Sequence, residues 1–495
     1  MNRSFSLIDK IETISIHDKI NYIAFLVFFI TAIYSIGHYK SDEHYQILEF
    51  AQYKLGQIDA EDLPWEFDAK MRPTIQPWFV VGIVWFFNKI QIANPFTITI
   101  FLRIMTAFLL WLTTVKLNKV VVARFFTEQR WAILFSCCSF FLWYVPFISV
   151  RFSSESYAAI FLLSALYLIL NNLRSVPHTI FIGIFLGISV IIKAQMGLAV
   201  LGIFAWLYFN EKKNLFRLFP LLPSFLLVII FGVYLDSLFY NEFAFTPYNF
   251  IIGNLAGGKA SEFGTAPFYY YVLAFLMATI PPISLVLPLF FFSAIRELKN
   301  NIIVWALVPY ILVHCFIGHK EVRFFLPVQY LIIFLTTYGL ASYFKERNIK
   351  KYQMRFFKVA IVLNTIVMIY MALKPANGTV LYQKYLYEHI NEGSRTILTT
   401  NRDYYKITGE LQTSFYRPKN IRSFSITNDK EIVDFMFKKD ITSCLYVHRG
   451  LSFSDSIPGY SLKKVYALYP DWITKVPFIN ASKIRTDCIY LVTKL

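Results

Sequence analysis

Ser41, Asp42, Glu43 and His44 form a polar stretch just after the first long apolar run of the chain. Two adjacent carboxylates held at a membrane surface suit glycosyl transfer, in which an acceptor hydroxyl must lose its proton as it attacks an anomeric carbon. One carboxylate serves as the base and the other orients it. The same residues also read as the start of an amphipathic helix. Ser41 is its N-cap, the two acids lie in its first turn, Ile47, Leu48 and Phe50 form its apolar face, and Gly56 ends it. Helix capping by Asp42 is thus an equal reading of the same carboxylate.

Three more polar clusters carry residue types with chemistry. The segment LPWEFDAKMRPTIQPW at 63 to 78 holds Glu66, Asp68 and Arg72 between Trp65 and Trp78, and the tryptophans read as interfacial anchors. The segment GHKEVRFFLP at 318 to 327 places His319, Lys320, Glu321 and Arg323 between two apolar runs. Charges there are costly unless they pair or face an aqueous cavity. Lys320 and Arg323 suit the grip of a phosphate, His319 a hydrogen bond to it, and Glu321 the balance of the cations. Snorkelling of long side chains at a helix end is the plainer alternative. Arg151, Ser154 and Glu155 form the third cluster, which equally fits a helix start with an anchoring Arg. The loop from 236 to 268 adds Asp236, Tyr240, Tyr248, Asn249, Asn254 and Lys259, a mixture suited to sugar stacking and hydroxyl recognition but common in ordinary loops.

The elements that must position these residues are membrane helices. Of 495 residues, 56% are hydrophobic, 51 are Phe and only 16% are charged, too little charge to cover a soluble protein of this size. Apolar runs near 20–37, 95–115, 131–149, 155–171, 178–193, 195–210, 216–235, 269–294, 302–317, 324–343 and 356–373 predict about eleven spans, with further helices or re-entrant runs at 77–92 and 281–294. The net charge of +17 falls in short clusters between these runs, which marks topology and argues against a nucleic-acid site. Setting the N-terminus inside puts Arg3, Lys10 and Lys19, Lys116 to Arg130, Lys212 to Arg217, Arg296 with Lys299, and Lys345 to Arg355 on one face, and the acidic loop 38–76, the Arg151–Glu155 turn, the loop 236–268, the His319–Arg323 turn and the tail on the other. The polar first 20 residues lack a signal-peptide core, so the first span is expected as an uncleaved anchor.

From about residue 374 the pattern changes to short β-prone stretches at Thr396–Thr399, Cys444–His448 and Cys488–Val492 with a helical stretch at Lys430–Lys438, which predicts a small α/β domain outside the membrane. The domain expectation is therefore a transmembrane catalytic domain over 1–373, with its acidic outer loop at 38–94, and a non-cytosolic α/β domain over 374–495. Cys444 and Cys488 are the one pair that could bridge, and two unpaired thiols are the preferred reading. Phosphate-loop, serine-elbow and His-Glu-x-x-His signatures are missing from the sequence.

Four ordered segments carry a resemblance. These are DEHYQILEFAQYKLG at 42–56 with LPWEFDAKMRP at 63–73, VRFSSES at 150–156, LDSLFYNEFAFTPYNFIIGN and EFGTAPFYYYV between 235 and 272, and GHKEVRFFLP. With them the chain resembles the family 22 mannosyltransferases of GPI-anchor and N-glycan assembly. The resemblance implies a GT-C architecture and inverting transfer of mannose from dolichyl- or polyprenyl-phosphate mannose to a glycan or glycolipid acceptor, without a cofactor or metal. By position it makes Asp42 the base with Glu43 beside it, and His319, Lys320, Glu321 and Arg323, with Arg151, the lipid-phosphate site. Glu66, Arg72, Glu155, Tyr248 and Asn254 are the candidates for acceptor or sugar contacts. The chain departs from the family pattern at Val322, where a second acid usually stands, and at Lys193, where an Arg does. A GT-C transferase for another lipid-phosphate sugar is the alternative enzyme, and a transporter of lipid-linked glycans the alternative class, although its charges would sit inside the spans. For compartment, Ile, Lys and Asn richness favours a bacterial inner membrane. The Asn377-Gly-Thr and Asn480-Ala-Ser triplets would suit an endoplasmic reticulum lumen instead.

Overall fold

The computed structural model describes residues 15–171, 175–210, 219–277, 283–345, 347, 349–389, 396–400, 406–408, 411–418, 421–427, 431–449, 457–468 and 487–495. The chain divides into two compact units. The first comprises Met1–Ser35, Trp65–Gly82 and Thr99–Lys374, and the second Ile36–Pro64, Ile83–Ile98 and Pro375–Leu495.

The first unit is helical, as expected of a backbone that must satisfy its own polar groups in hydrocarbon. Among the described residues, five helical stretches, beginning at Ile16, Pro95, Leu221, Val322 and Lys351, are long and apolar enough to cross a membrane. Four shorter apolar helices run over Ser154–Leu170, Val176–Ile192, Ala194–Asn210 and Ile302–Phe316. The run expected at 269–294 holds two helices, Tyr270–Met277 and Ile283–Glu297, with residues 278–282 outside the description. Lys212, Lys213 and Arg217, like Arg3 and Lys10, also lie outside it. Leu226, Leu227, Ile230 and Phe231 of the Leu221–Tyr240 helix are exposed, the side-chain chemistry of a lipid-facing surface. Glycines let other helices meet backbone to backbone. A Cβ at Gly202 would fall 1.9 Å from the carbonyl oxygen of Trp305, and one at Gly339 2.0 Å from that of Phe290.

The second unit contains a five-stranded sheet. Its strands are β1 (Thr396–Thr400), β4 (Arg422–Ile426), β5 (Ser443–Arg449), β6 (Tyr460–Ala467) and β7 (Asp487–Lys494), in the order β4-β1-β5-β7-β6. A separate hairpin pairs β2 (Lys406–Thr408) with β3 (Leu411–Gln412). Strands β4, β1 and β5 are parallel, and β7 runs antiparallel to both β5 and β6. Alternation along the strands builds two cores. Leu398, Cys444, Tyr446, Cys488 and Tyr490 pack on Ile432 and Met436 of the Glu431–Lys438 helix. Ile397, Leu445, Val447 and Ile489 pack on Tyr382 and Leu386 of the Gly378–His389 helix. The α/β character expected of the tail is present. Cys444 and Cys488 are free, buried thiols, and the register pairs Cys444 with Val492 and Cys488 with His448, so the two are four rows apart.

The N-terminal part of this unit is joined to the tail through a backbone clasp. The carbonyl of Ile36 accepts the N–H groups of Ala376 and Asn377 at 2.9 and 3.2 Å. Gly37 beside it has φ +88°, and a Cβ there would lie 2.9 Å from that of Asn377, so only glycine fits. The Asn377 amide nitrogen donates to His38 Nε2 at 3.0 Å, while its oxygen accepts the N–H of Thr379. The folded chain therefore presents this half-buried amide already bonded. Asn480 lies outside the described residues.

Candidate active site

In the first unit, polar side chains gather around the ring of Phe324. The Val176–Ile192 helix stops at Lys193, which adopts an extended conformation (φ −146°, ψ 100°) before a short 3₁₀ turn over Ala194–Met196. That break turns the Lys193 ammonium to Glu155 at 2.7 Å, both side chains being nine-tenths buried. Glu155 stands in the first turn of the Ser154–Leu170 helix, whose N-cap is Ser153, where a carboxylate is favoured. The Phe324 ring lies 6.0 Å from Lys193 and 5.8 Å from the Arg323 guanidinium. The rings of His314 and His319 lie 6.0 and 5.9 Å from it. Two cations and two histidines thus share one aromatic neighbour, and one of the cations, Lys193, carries Glu155 as its partner.

The 317–323 turn is sewn to the loop before the Tyr270–Met277 helix. Gly318 accepts the Ala266 N–H at 3.0 Å, His319 Nδ1 bonds the Gly264 carbonyl at 2.9 Å, and the buried Lys320 ammonium donates to the carbonyls of Ala266, at 2.8 Å, and Ile317. Glu321 accepts from Arg323 at 2.7 Å and lies 3.3 Å from His319 Nε2. Of the five expected phosphate-site residues the turn carries four: His319, Glu321 and Arg323 are held against one another, and Lys320 fastens the turn. Tyr310 donates to the Phe324 carbonyl and stacks on His314, which fixes the helix before the turn to the one after it. Arg151 is buried, donates to the Ser35 carbonyl at 2.6 Å and lies over Phe147 at 5.1 Å.

The candidates for acceptor contacts separate. Arg72 and Glu66 are 3.3 Å apart, with Arg72 also 5.5 Å from the Phe250 ring. Asp236, buried, ties this segment to the Leu221–Tyr240 helix: it accepts from the N–H and hydroxyl of Thr74 at 2.8 and 2.7 Å and from the Thr246 hydroxyl. Tyr240 adds a bond to the Arg72 carbonyl. Trp78, read as an interfacial anchor, donates its indole N–H to Leu235 and packs on Phe239, a helix-packing contact. Tyr248 is exposed and stacked on Phe245, while Asn254 donates to the Phe250 carbonyl one turn back.

In the second unit, Ser41–Glu43 forms one helical turn whose N-cap is Lys40, not Ser41. The Ser41 hydroxyl turns to Asp42 at 3.4 Å, and Glu43 accepts the Tyr39 N–H at 3.1 Å. Of the two acids it is therefore Glu43 that ties the turn to the chain just before it. A π-helical stretch, His44–Glu49, follows, then Phe50–Lys54, and Gly56 at φ +68° ends the run as expected. Residues five apart lie about 140° apart around an α-helix, but the wider turn brings His44 Nε2 to within 2.6 Å of Glu49 Oε1. Both are buried. Burial pushes the Glu49 carboxyl up to about 8, against the opposing N–H bonds of Phe415 and Ser414, and pushes the His44 imidazole down to about 3. The pair is net neutral at pH 7.

A model of the Alg9-like mannosyltransferase family matches residues 20–411, which include the acid turn, the Lys193–Glu155 pair and the 317–323 turn. The chain belongs to the Alg9-like mannosyltransferase family. Among its relatives it is 25% identical over 351 residues to GPI mannosyltransferase 3 of Candida albicans, covering 70% of this chain and 67% of that protein. It is 26% identical over 300 residues to the "Probable Dol-P-Man:Man(7)GlcNAc(2)-PP-Dol alpha-1,6-mannosyltransferase" of Schizosaccharomyces pombe (60% and 50%), and 21% identical over 365 residues to GPI alpha-1,2-mannosyltransferase 3 of Bos taurus (72% and 65%). The chain spans between half and about two thirds of the length of these relatives. In fold it is similar to ArnT from Cupriavidus metallidurans bound to undecaprenyl phosphate, with a TM-score of 0.54 at 10% identity over 96% of this chain and 97% of that one, which supports a GT-C-like fold alone.

Membership of an Alg9-like mannosyltransferase family bears out the reading of a mannosyl-transferring membrane enzyme and does not favour the transporter or another sugar. It does not support the bacterial inner membrane: these relatives are fungal and mammalian. Ile, Lys and Asn content was no guide here, because residue composition by itself does not name a membrane. Sequence reasoning passed over Glu49, His314, Tyr310 and Phe324, named His44 without giving it a role, and met Lys193 only as a departure from a pattern. A glutamate amid Ile47, Leu48 and Phe50 on an apolar helix face was the signal for Glu49.

Proposed function

We propose that this protein moves mannose from a dolichyl- or polyprenyl-phosphate mannose to a glycan or glycolipid acceptor, on the non-cytosolic face of the endoplasmic reticulum membrane, as an inverting GT-C enzyme of about eleven crossings. The catalytic domain is 1–373 and the exported α/β domain 374–495. The observation that carries the reading is the family match across 20–411. Its relatives' names, GPI mannosyltransferase 3 and Dol-P-Man:Man(7)GlcNAc(2)-PP-Dol alpha-1,6-mannosyltransferase, supply the donor and acceptor classes.

In this mechanism the acceptor hydroxyl attacks the anomeric carbon of mannose, the bond from that carbon to the phosphate oxygen breaks, and the lipid phosphate leaves with both electrons. Asp42 takes the hydroxyl proton, while Glu43, engaged with the Tyr39 N–H, holds the turn. Arg323, His319 and Lys320, with Arg151, meet the charge that grows on the departing phosphate. Glu321 keeps Arg323 and His319 aimed in the absence of donor. Glu155, Glu66, Arg72, Tyr248 and Asn254 are assigned to acceptor or sugar contacts, where carboxylates and amides match hydroxyls and aromatic rings match apolar sugar faces.

The test is transfer of radiolabelled mannose from dolichyl-phosphate mannose and from polyprenyl-phosphate mannose to a panel of glycolipid acceptors, in membranes carrying the full chain. Mannosylated glycolipid from either donor supports the reading. Turnover of another lipid-phosphate sugar alone overturns mannose, and consumption of no lipid-phosphate sugar overturns the enzyme.

A further inference from the structure

We propose that His44 and Glu49 are a positioning pair that locks the turn carrying Asp42 and Glu43 to the 411–416 segment of the tail, so that the carboxylates meet the acceptor hydroxyl in one fixed geometry. The proposal rests on the reading of Asp42 as the base. The pair cannot itself touch substrate, because both side chains are shut away from solvent. What it touches is structural and comes from far along the chain. Glu49 Oε1, at 2.6 Å from His44 Nε2, also accepts the Phe415 N–H at 3.0 Å. The Tyr416 ring stacks on His44 at 5.4 Å and on Phe96 at 4.8 Å. The Tyr45 hydroxyl donates to the Leu411 carbonyl.

Apolar packing alone would join these segments with less desolvation, but it would leave the rotation of the 41–49 turn open. A hydrogen-bonded pair inside a π turn permits one register, since slipping by a single residue breaks both the pair and the Phe415 bond. Asp42 is only two residues from His44, so the register of the pair sets the direction of the acid. The titratable groups facing the pair are Asp62, whose charge acts on Glu49, and His38, Tyr45 and Tyr416, whose rings pack around His44.

The experiment is steady-state mannosyl transfer by the purified full chain in detergent, with wild type, Glu49→Ala, Glu49→Gln, His44→Phe and Asp42→Asn, each with a thermal melt and a pH profile. A misdirected acid costs about a hundredfold in kcat, so Glu49→Ala is expected to lose that much with KM for the lipid donor unchanged. Glu49→Gln keeps an acceptor for the Phe415 N–H and a partner for His44, and it recovers most of kcat; wild type is expected to lose kcat as Glu49 ionises above about pH 8, and this variant is not. If Glu49→Ala does not melt cooperatively, His44→Phe carries the test, because it keeps the stack on Tyr416 and removes the ring nitrogen. The same kcat loss is expected there. Wild-type kcat in folded Glu49→Ala or His44→Phe, beside an inactive Asp42→Asn, overturns the positioning role. So does a Glu49→Gln as slow as Glu49→Ala with an unchanged melt. Wild-type activity in Asp42→Asn overturns the base assignment itself, and the proposal with it.

Discussion

The acid turn at 41–49 and the basic turn at 317–323 handle charge in opposite ways. In the basic turn each charged or ionisable side chain has a nearby polar partner: Lys320 takes two carbonyls, Glu321 lies between Arg323 and His319, and His319 reaches Gly264. In the acid turn a different pair of residues, His44 and Glu49, is buried without net charge, and the two half-buried carboxylates beside it are bonded locally, Glu43 to the Tyr39 N–H and Asp42 to the Ser41 hydroxyl. The difference follows from the charge each has to meet. In the proposed phosphate site, Lys320 is held by carbonyl dipoles and Arg323 by the Glu321 carboxylate, partners that the lipid phosphate would compete with. For Asp42 in its proposed role as base, the buried pair two residues on fixes the backbone that carries the carboxylate.

The largest effect breaks the comparison at the acid turn. Asp42→Asn is expected to lower kcat by about 10²–10⁴, the range for loss of a general base. Transfer of labelled mannose measures it, and activity within that assay's scatter of wild type would leave the turn a helix start and nothing more. Next comes the buried ion pair. Lys193→Ala leaves the buried Glu155 carboxylate without its ammonium, and should cost about 3–5 kcal/mol in unfolding free energy. Glu155→Gln with Lys193→Met should recover most of it, as read by thermal unfolding in detergent. A melt unchanged by Lys193→Ala would mean that water or another group already balances Glu155.

Arg323→Ala sharpens the other side. Loss of one charge-assisted hydrogen bond is worth about 1.5–3 kcal/mol, or roughly 10- to 100-fold, and is expected in kcat/KM for the lipid donor, with Arg323→Lys intermediate because it lacks the planar fork. Equal kcat/KM in wild type and Arg323→Ala would remove Arg323 from the phosphate. The smallest effect is the pH dependence of stability. The Glu49 carboxyl, raised in the folded chain from about 4.5 to about 8, holds its proton more tightly than in the unfolded one. Its contribution is therefore fully present below pH 4.5 and declines as pH rises through 8. Glu49→Gln, which cannot ionise, should flatten the melting temperature across that window, and an equally steep dependence in the variant would place the titrating group elsewhere.

The helical membrane body, the strands at 396, 444 and 488, the free thiols and the stop at Gly56 were legible because each is a local property: apolar runs, alternation, or a left-handed backbone only glycine adopts freely. The 317–323 turn was legible for a related reason, since four ionisable residues between two apolar runs are conspicuous in hydrocarbon. Lys193 was not. It stands amid Ile191, Ile192 and Ala194, and its meaning depends on a helix break that turns it to a residue 38 positions earlier. Ser41 was read as an N-cap because serine suits that place, yet the chain starts the helix one residue sooner and spends the hydroxyl on Asp42.

By itself the sequence determined that this chain lives in a membrane, has an α/β tail, and gathers its ionisable residues in a few short turns, because hydrophobic length, strand alternation and charge are written residue by residue. Only the tertiary structure decided which of those charges meet. Glu49 bonds a backbone N–H 366 residues away, and Asp236 holds a threonine 162 residues away. No local pattern encodes contacts of that separation, since they are chosen by the packing of whole elements, whose gain must first overcome the entropy of closing the loops between them.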